Sequence, residues 1–274
     1  MEMISLCHID KKYGTQQVLE DVNLTIQKGD IYGLIGKNGA GKTTIFKMIL
    51  GLTNFESGQL SIFGSDSKAA LSAGRKHIGF FIGKNFFDYL TARENLDYYR
   101  RMKGIREKDE VDRVLALVGL QKTSAKFGTF SMGMKQRLGI ANAMLGNPDI
   151  LMLDEPVNGL DPQGIADIRH LLVKLNAEYG TTIVLSSHLL SELEHTATRF
   201  GILDHGRVLR EFTHEVLNVR NDSIRLRVSD YERARQLLLE NHIEILQESA
   251  VPRALEDYYF ELVGGDHDVA LHQR

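Results

Sequence analysis

Three observations in the 274-residue sequence predict an α/β fold with a parallel core sheet. A glycine-rich run, Gly36-Lys37-Asn38-Gly39-Ala40-Gly41-Lys42-Thr43-Thr44, fits G-x-x-x-x-G-K-[ST] between an apolar strand pattern at 31–35 and a helical one at 45–50. A second apolar strand, Ile150-Leu151-Met152-Leu153, runs directly into Asp154-Glu155. A third, at 182–185, follows a helical stretch over 163–178. Continuous apolar strands joined by helices are what a parallel sheet covered on both faces requires.

The remaining elements follow in chain order. Alternation in Ile4, Leu6 and His8, then in Val22, Leu24 and Ile26, predicts two strands of an antiparallel layer ahead of the glycine loop. A short strand is expected at 59–63, ended by Gly64, and another at 78–82. Charged and apolar residues then recur at helical spacing over 91–103 and 107–118, closed by Gly104 and Gly119. Thr91 with Glu94 three residues on predicts a capping box. A helical subdomain is therefore placed at about 84–146. Beyond the third core strand come a helix at 189–196 and a hairpin, 200–203 with 207–209, turning over Asp204-His205-Gly206.

The pattern changes after residue 217. Strand, helix, strand and helix patterns at 223–228, 231–240, 243–248 and 254–262 predict a small C-terminal α+β module over 218–264. A frayed tail at 265–274 follows. Residues 1–217 form the main domain in this reading.

Composition narrows the partners. Hydrophobic residues make up 43% and charged residues 25%, ordinary values for a globular chain. A net charge of −3, with both signs interspersed, argues against a nucleic-acid surface and against polybasic docking on a membrane. No apolar run approaches the ~18 residues of a membrane span, and the N-terminus lacks a signal-peptide design. The chain is expected to reach a membrane only through a partner. The single cysteine, Cys7, leaves no internal disulfide and fits a reducing compartment; it is read as a small core residue.

The chemistry points to a nucleoside triphosphate. Backbone N–H groups of Gly36, Asn38, Gly39, Ala40, Gly41 and Thr44 can turn toward a polyphosphate, where the following helix adds its partial positive charge. Lys42 can reach the β- and γ-phosphates, and the Thr43 hydroxyl can ligate Mg²⁺. Asp154 sits at the C-terminal end of its strand, where ligands bind in open α/β sheets, and can hold the metal. Glu155 can take the proton of an attacking water. A solvated acidic turn would explain Asp-Glu alone, but not downstream of a phosphate loop. Ser131 caps a helix opened by Met132-Gly133-Met134-Lys135-Gln136-Arg137, so its hydroxyl and the Gly133 N–H make a second anion site. One phosphate loop needs one triphosphate cradle; a second anion site suggests use in trans.

At this point residues 3–215 resemble the ATP-binding cassette (ABC) family, with its motifs in the family's order. Ser131-Met132-Gly133-Met134-Lys135-Gln136 resembles the signature, usually L-S-G-G-Q, with Met132 and Met134 as departures. Gly159-Leu160-Asp161 resembles the D-loop, His188 falls at the switch histidine, and Tyr13 resembles the aromatic that stacks on adenine. The family carries glutamine or glutamate just past the strand at 78–82. Here either Gly83 or Asn85 takes that place, with Lys84 between them.

The stretch at 90–96, the signature form and the tail at 255–262 resemble bacitracin-resistance and lantibiotic-immunity exporters. The resemblance implies an ATP-hydrolysing subunit, working with ATP and Mg²⁺, that pairs with a second cassette in a homodimer or heterodimer. It would dock on a separate permease at the cytoplasmic face of the membrane, serving antibiotic resistance. In this reading Ser131, Gly133 and Asp161 serve the opposite cassette, and His188 senses the γ-phosphate. Two rivals remain: a cassette used for sensing or signalling, and a soluble cassette without transport. Long coiled-coil insertions or a second cassette would favour the soluble type, and neither pattern is in the sequence.

Overall fold

The computed structural model describes residues 1–83, 86–188, 190–217 and 231–241. The chain divides into two compact units, residues 1–212 and 213–274. In chain order the elements are β1 (Glu2–Tyr13), β2 (Gln16–Gln27), β3 (Ile31–Ile35), α1 (Lys42–Ile49), β4 (Ser57–Ile62), α2 (Lys68–Arg75) and β5 (Ile78–Phe81). Then follow α3 (Ala92–Met102), α4 (Glu110–Leu117), α5 (Met132–Ala143), β6 (Ile150–Asp154), α6 (Pro162–Tyr179), β7 (Thr182–Ser187), α7 (Leu190–Glu194), β8 (Arg199–Asp204) and β9 (Arg207–Thr213). The smaller unit holds α8 (His214–Leu217) and α9 (Tyr231–Glu240) among the described residues. The strands expected at 223–228 and 243–248, the helix at 254–262 and the tail lie outside the described residues.

The larger unit has two sheets. One is three-stranded, in the order β2-β1-β4, with both pairings antiparallel. The other is six-stranded, in the order β5-β6-β7-β3-β8-β9, and β5, β6, β7, β3 and β8 run parallel. Every residue of β3 and β7 is buried, as the unbroken apolar runs require. Helix α1 contributes Ile45, Phe46 and Ile49 to a core that also takes Ile4 and Leu24 from the antiparallel sheet and Leu34 and Met152 from the parallel one. β3 lies between β7 and β8, so the loop leaving it emerges mid-sheet, at the edge where strands end.

Local chemistry sets the helix ends. The Thr91–Glu94 capping box forms, with Glu94 Oε2 accepting from the Thr91 N–H at 2.8 Å and Thr91 Oγ1 accepting from the Glu94 N–H at 3.2 Å. Helix α4 starts at Glu110 rather than 107, where Glu110 and Asp112 place negative charge in the first turn. Helix α7 ends at Glu194, short of 196; beyond it the Thr196 N–H turns to the Leu193 carbonyl at 3.0 Å while Thr196 Oγ1 donates to the Glu192 carbonyl at 2.7 Å. The turn between β8 and β9 places His205 and Gly206 both at positive φ, the requirement of a two-residue type I′ hairpin.

Two readings of the first strand are corrected. Cys7 is exposed, because it follows the inward Leu6 and so faces the other side of the sheet, beside Ser5, Gln59 and Ser61. His8 does not continue the inward row of Ile4 and Leu6. A bulge between Leu6 and Ile9 puts His8 at φ 51° on the surface and turns Ile9 inward in its place.

Candidate active site

The glycine loop closes on itself before it can hold anything else. Ala40 N–H donates to the Lys37 carbonyl at 3.1 Å, and the Lys42 ammonium, only 6% exposed, donates to the Gly36 carbonyl at 2.6 Å and the Lys37 carbonyl at 3.2 Å. A charge buried that deeply needs such partners. Gly41 stands at φ 113°, and a Cβ there would lie 2.5 Å from a Leu19 methyl, so glycine is required on both counts. The result is a hollow of about 200 Å³ lined by Asn38, Gly39, Gly41, Lys42, Thr43, Thr44 and Glu155. Gly36 and Ala40 frame this cradle rather than line it.

The two carboxylates at the tip of β6 are separated in role by their partners. Thr43 Oγ1 donates to Asp154 Oδ2 at 2.7 Å, and Ser186 Oγ donates to Asp154 Oδ1 at 2.6 Å. Asp154 is thus fixed on both oxygens. Glu155 stands at φ 51°, held there as its N–H donates to Ser186 Oγ at 3.0 Å. That turn sends its side chain toward the loop. Oε2 lies 2.7 Å from His188 Nδ1, and Oε1 lies 3.2 Å from Lys42 Nζ. The contact to Lys42 is an ion pair without hydrogen-bond geometry, since Oε1 has no hydrogen-bond partner. Lysine, carboxylate and histidine therefore form one continuous chain, of which Lys42 and Glu155 line the phosphate hollow.

The other predicted residues lie apart from this chain. Ser131 caps α5, its Oγ accepting from the Met134 N–H at 3.3 Å, and Asp161 caps α6, its Oδ1 accepting from the Gly164 N–H at 2.9 Å. Both, with Gly133 and Gly159, line an open hollow of about 830 Å³ that shares no lining residue with the phosphate hollow. Tyr13 ends β1, about half exposed, with the Lys11 ammonium 4.8 Å from its ring centroid. Gly83 is exposed at φ 74°; Lys84 and Asn85 lie outside the described residues.

Two residues beside the site have no role of their own in the sequence reading. Ser186 is brought to Asp154 only by the register of β7 against β6, in which the two are paired. Gln136, one turn into α5, lines a third cavity together with Asp154 and Glu155. The signal that could have found it is its place beside the serine-capped helix start.

A cradle for phosphates beside a fixed aspartate and a histidine-held glutamate defines a phosphate-loop nucleoside triphosphatase. Comparison with known proteins narrows that class: residues 19–158 match the family model described as ABC transporter. The chain belongs to the ABC transporter ATP-binding family, and it is an ATP-binding, ATP-hydrolysing cassette. It is 38% identical to the bacitracin transport ATP-binding protein BcrA of Bacillus licheniformis, over 96% of this chain and 98% of that protein. It is 39% identical to the lantibiotic transport ATP-binding protein SrtF of Streptococcus pyogenes, over 76% of this chain and 90% of that one. A solved ATP-binding subunit of an ABC transporter superposes with a TM-score of 0.72 at 27% identity, covering 95% of this chain and 99% of its own. A dimeric cassette in a post-hydrolysis state with ADP and Pi does so at 0.68 and 29%, covering 77% and 99%.

Proposed function

We propose that this chain is the ATP-hydrolysing subunit of a bacterial ABC exporter that removes antimicrobial peptides or antibiotics. The observation that carries the reading is the likeness to a bacitracin transport ATP-binding protein across nearly the whole of both chains. In this reading two cassettes close over two ATP molecules, and the difference in binding free energy between open and closed pairs drives a separate permease. Among the described residues no helix is long and apolar enough to cross a membrane. The chain would work at the cytoplasmic face, held by that permease.

The residues take the following roles. Lys42 and the loop N–H groups bind the β- and γ-phosphates, and Glu155 accepts the proton of the attacking water while His188 fixes its carboxylate. Ser131, Gly133 and Asp161 face the nucleotide of the partner cassette, and Tyr13 stacks on adenine. Mg²⁺ fits the donors present: Thr43 Oγ1 and Asp154 Oδ2 lie side by side as hard oxygen ligands. No group of three or more His, Cys, Asp or Glu able to hold a metal alone occurs among the described residues, so phosphate oxygens and water would complete the shell. The metal, when bound, offsets phosphate charge.

The larger part, residues 1–217, would carry all of this chemistry, with 84–146 as the helical subdomain that meets the permease and 218–264 as an accessory module. The altered segment around Gly83, where either Gly83 or Asn85 takes the place of the family's glutamine or glutamate, favours a second reading in which closure signals rather than transports. Purification of the tagged full-length chain from detergent-solubilised membranes separates the two. Recovery of a multi-span permease, together with peptide resistance lost in the Glu155→Gln strain, is expected. Resistance unaffected by that substitution would overturn the export reading.

A further inference from the structure

We propose that Lys11 is a positioning residue for the nucleotide base, set by Glu56 against one face of the Tyr13 ring so that the other face is free to stack on adenine. The Lys11 ammonium lies over that ring, 4.8 Å from its centroid, and donates to Glu56 Oε1 at 3.1 Å. Lys11 is 6% exposed, whereas Tyr13 is about half exposed. A buried ammonium needs a carboxylate or a ring face to offset its lost hydration, and here it has both. The face turned to Lys11 is thus closed, and the exposure of the ring belongs to its opposite side and its edge.

Glu56 acts where the sheet runs out. Pairing of β4 with β1 reaches Asp10, opposite Ser57. One residue before Ser57, the Glu56 N–H donates to the Asp10 carbonyl at 2.9 Å, its Oε2 accepts from the Lys12 N–H at 2.8 Å, and its Oε1 takes the Lys11 ammonium. A single residue so binds three consecutive positions of β1, and the strand end that carries Tyr13 is held past the last β4 pairing. Tyr13 lies opposite Gln16 on β2, and Val18, two residues further on, lines the phosphate hollow. At about 3.3 Å per residue the ring is rooted about 7 Å along the sheet from that hollow, a gap that a ribose can bridge. A tyrosine fixed in advance gives up less side-chain freedom when a base stacks on it, which improves affinity without adding a contact.

The inference rests on the reading that Tyr13 stacks on adenine, and the test separates the two. Dissociation constants of the purified full-length chain are measured for ATP with Mg²⁺ and for inorganic tripolyphosphate, which has the phosphates but no base. Tyr13→Ala should weaken ATP binding and leave tripolyphosphate binding within about twofold. Lys11→Met keeps the stem and removes the ammonium. It should weaken ATP binding about three- to tenfold, leave tripolyphosphate unchanged, and add nothing in a chain that already carries Tyr13→Ala. Lys11→Arg, whose guanidinium can both pair and stack, should keep ATP binding close to wild type. Full ATP affinity in Tyr13→Ala overturns the stacking reading. With Tyr13→Ala weakened, full ATP affinity in Lys11→Met overturns the role of Lys11. An equal loss for ATP and tripolyphosphate does so too, since a merely distorted strand would cause it. If Lys11→Met does not fold, Glu56→Gln decides on the same two ligands. It uncouples the ammonium while its amide oxygen can still accept from Lys12, so ATP binding alone weakens if the proposal holds, and neither weakens if it fails.

Discussion

His188 Nδ1 stands 2.7 Å from Glu155 Oε2, just past the strand that also supplies Ser186 to the Glu155 backbone. One strand end thus fixes the proposed general base twice, at its N–H and at its carboxylate. The histidine is therefore expected to act on hydrolysis through the carboxylate as well as through any phosphate it meets.

The first prediction concerns that base. Glu155→Gln keeps the size of the side chain but loses the charge that pairs with Lys42 and cannot take a proton. Hydrolysis should fall by about 10² to 10⁴ while ATP affinity is retained. Nucleotide binding by fluorescence and turnover by phosphate release check both halves. The trapped species should migrate as an ATP-bound dimer in size-exclusion chromatography.

A second prediction uses the separation of the two hollows. Since Ser131 and the phosphate loop share no lining residue, mixing a Lys42→Ala chain with a Ser131→Arg chain should create one composite site with both defects and one with neither. Partial recovery of ATPase activity on mixing is expected. Mixtures inactive at every ratio would count against the in-trans role of Ser131.

The third prediction moves from Phe87 to its neighbours. Phe87 packs edge-to-face on Tyr98 with ring centroids 5.0 Å apart and at a tilt on Tyr89 at 5.8 Å, so Phe87→Ala would disturb packing as well as any interface. Tyr89 is 67% exposed and is the cleaner probe of permease contact. Tyr89→Ala should reduce co-purification of the permease without changing the melting temperature of the isolated chain. Asn95→Ala should do the opposite. Asn95 is fully buried, accepts from the Phe87 N–H at 2.9 Å and donates to the carbonyls of Phe87, Leu90 and Thr91. Its loss strands several buried groups, at a cost of about 2–3 kcal/mol in stability.

A fourth prediction concerns the C-terminal segment. A chain truncated after residue 217 should bind ATP with affinity similar to the full chain, and lose only dimer lifetime or transport coupling. Loss of ATP binding in a truncated chain that circular dichroism shows to be folded would place the segment at the nucleotide site.

The phosphate loop was legible because its chemistry is contiguous: nine adjacent residues supply turn, lysine and hydroxyl, and no distant contact is needed to recognise them. Asp154 and Glu155 were legible for the same reason, as were the Thr91 cap and the His205-Gly206 turn. Ser186 was not, since a serine near the end of an apolar strand carries no signal until β6 and β7 are placed in register. Gln136 is legible only as part of the signature stretch, because an unpartnered amide oxygen is a property of the packed cavity. An apolar strand pattern alone does not place Cys7 inward, because its strand buries one face only. Helix α2 went unread: its eight residues bury only Gly74, too little for a periodic apolar pattern.

The left-handed backbone of Glu155 has a cost of its own. A β-carbon at φ 51° is unfavourable by about 1–2 kcal/mol, a penalty glycine escapes and asparagine softens. Glycine or asparagine here would ease the backbone but give up the contacts of the carboxylate with the buried Lys42 and with His188. The kink and the carboxylate are carried at one position, so relieving the first removes the proposed proton acceptor. Neither can be altered without the other.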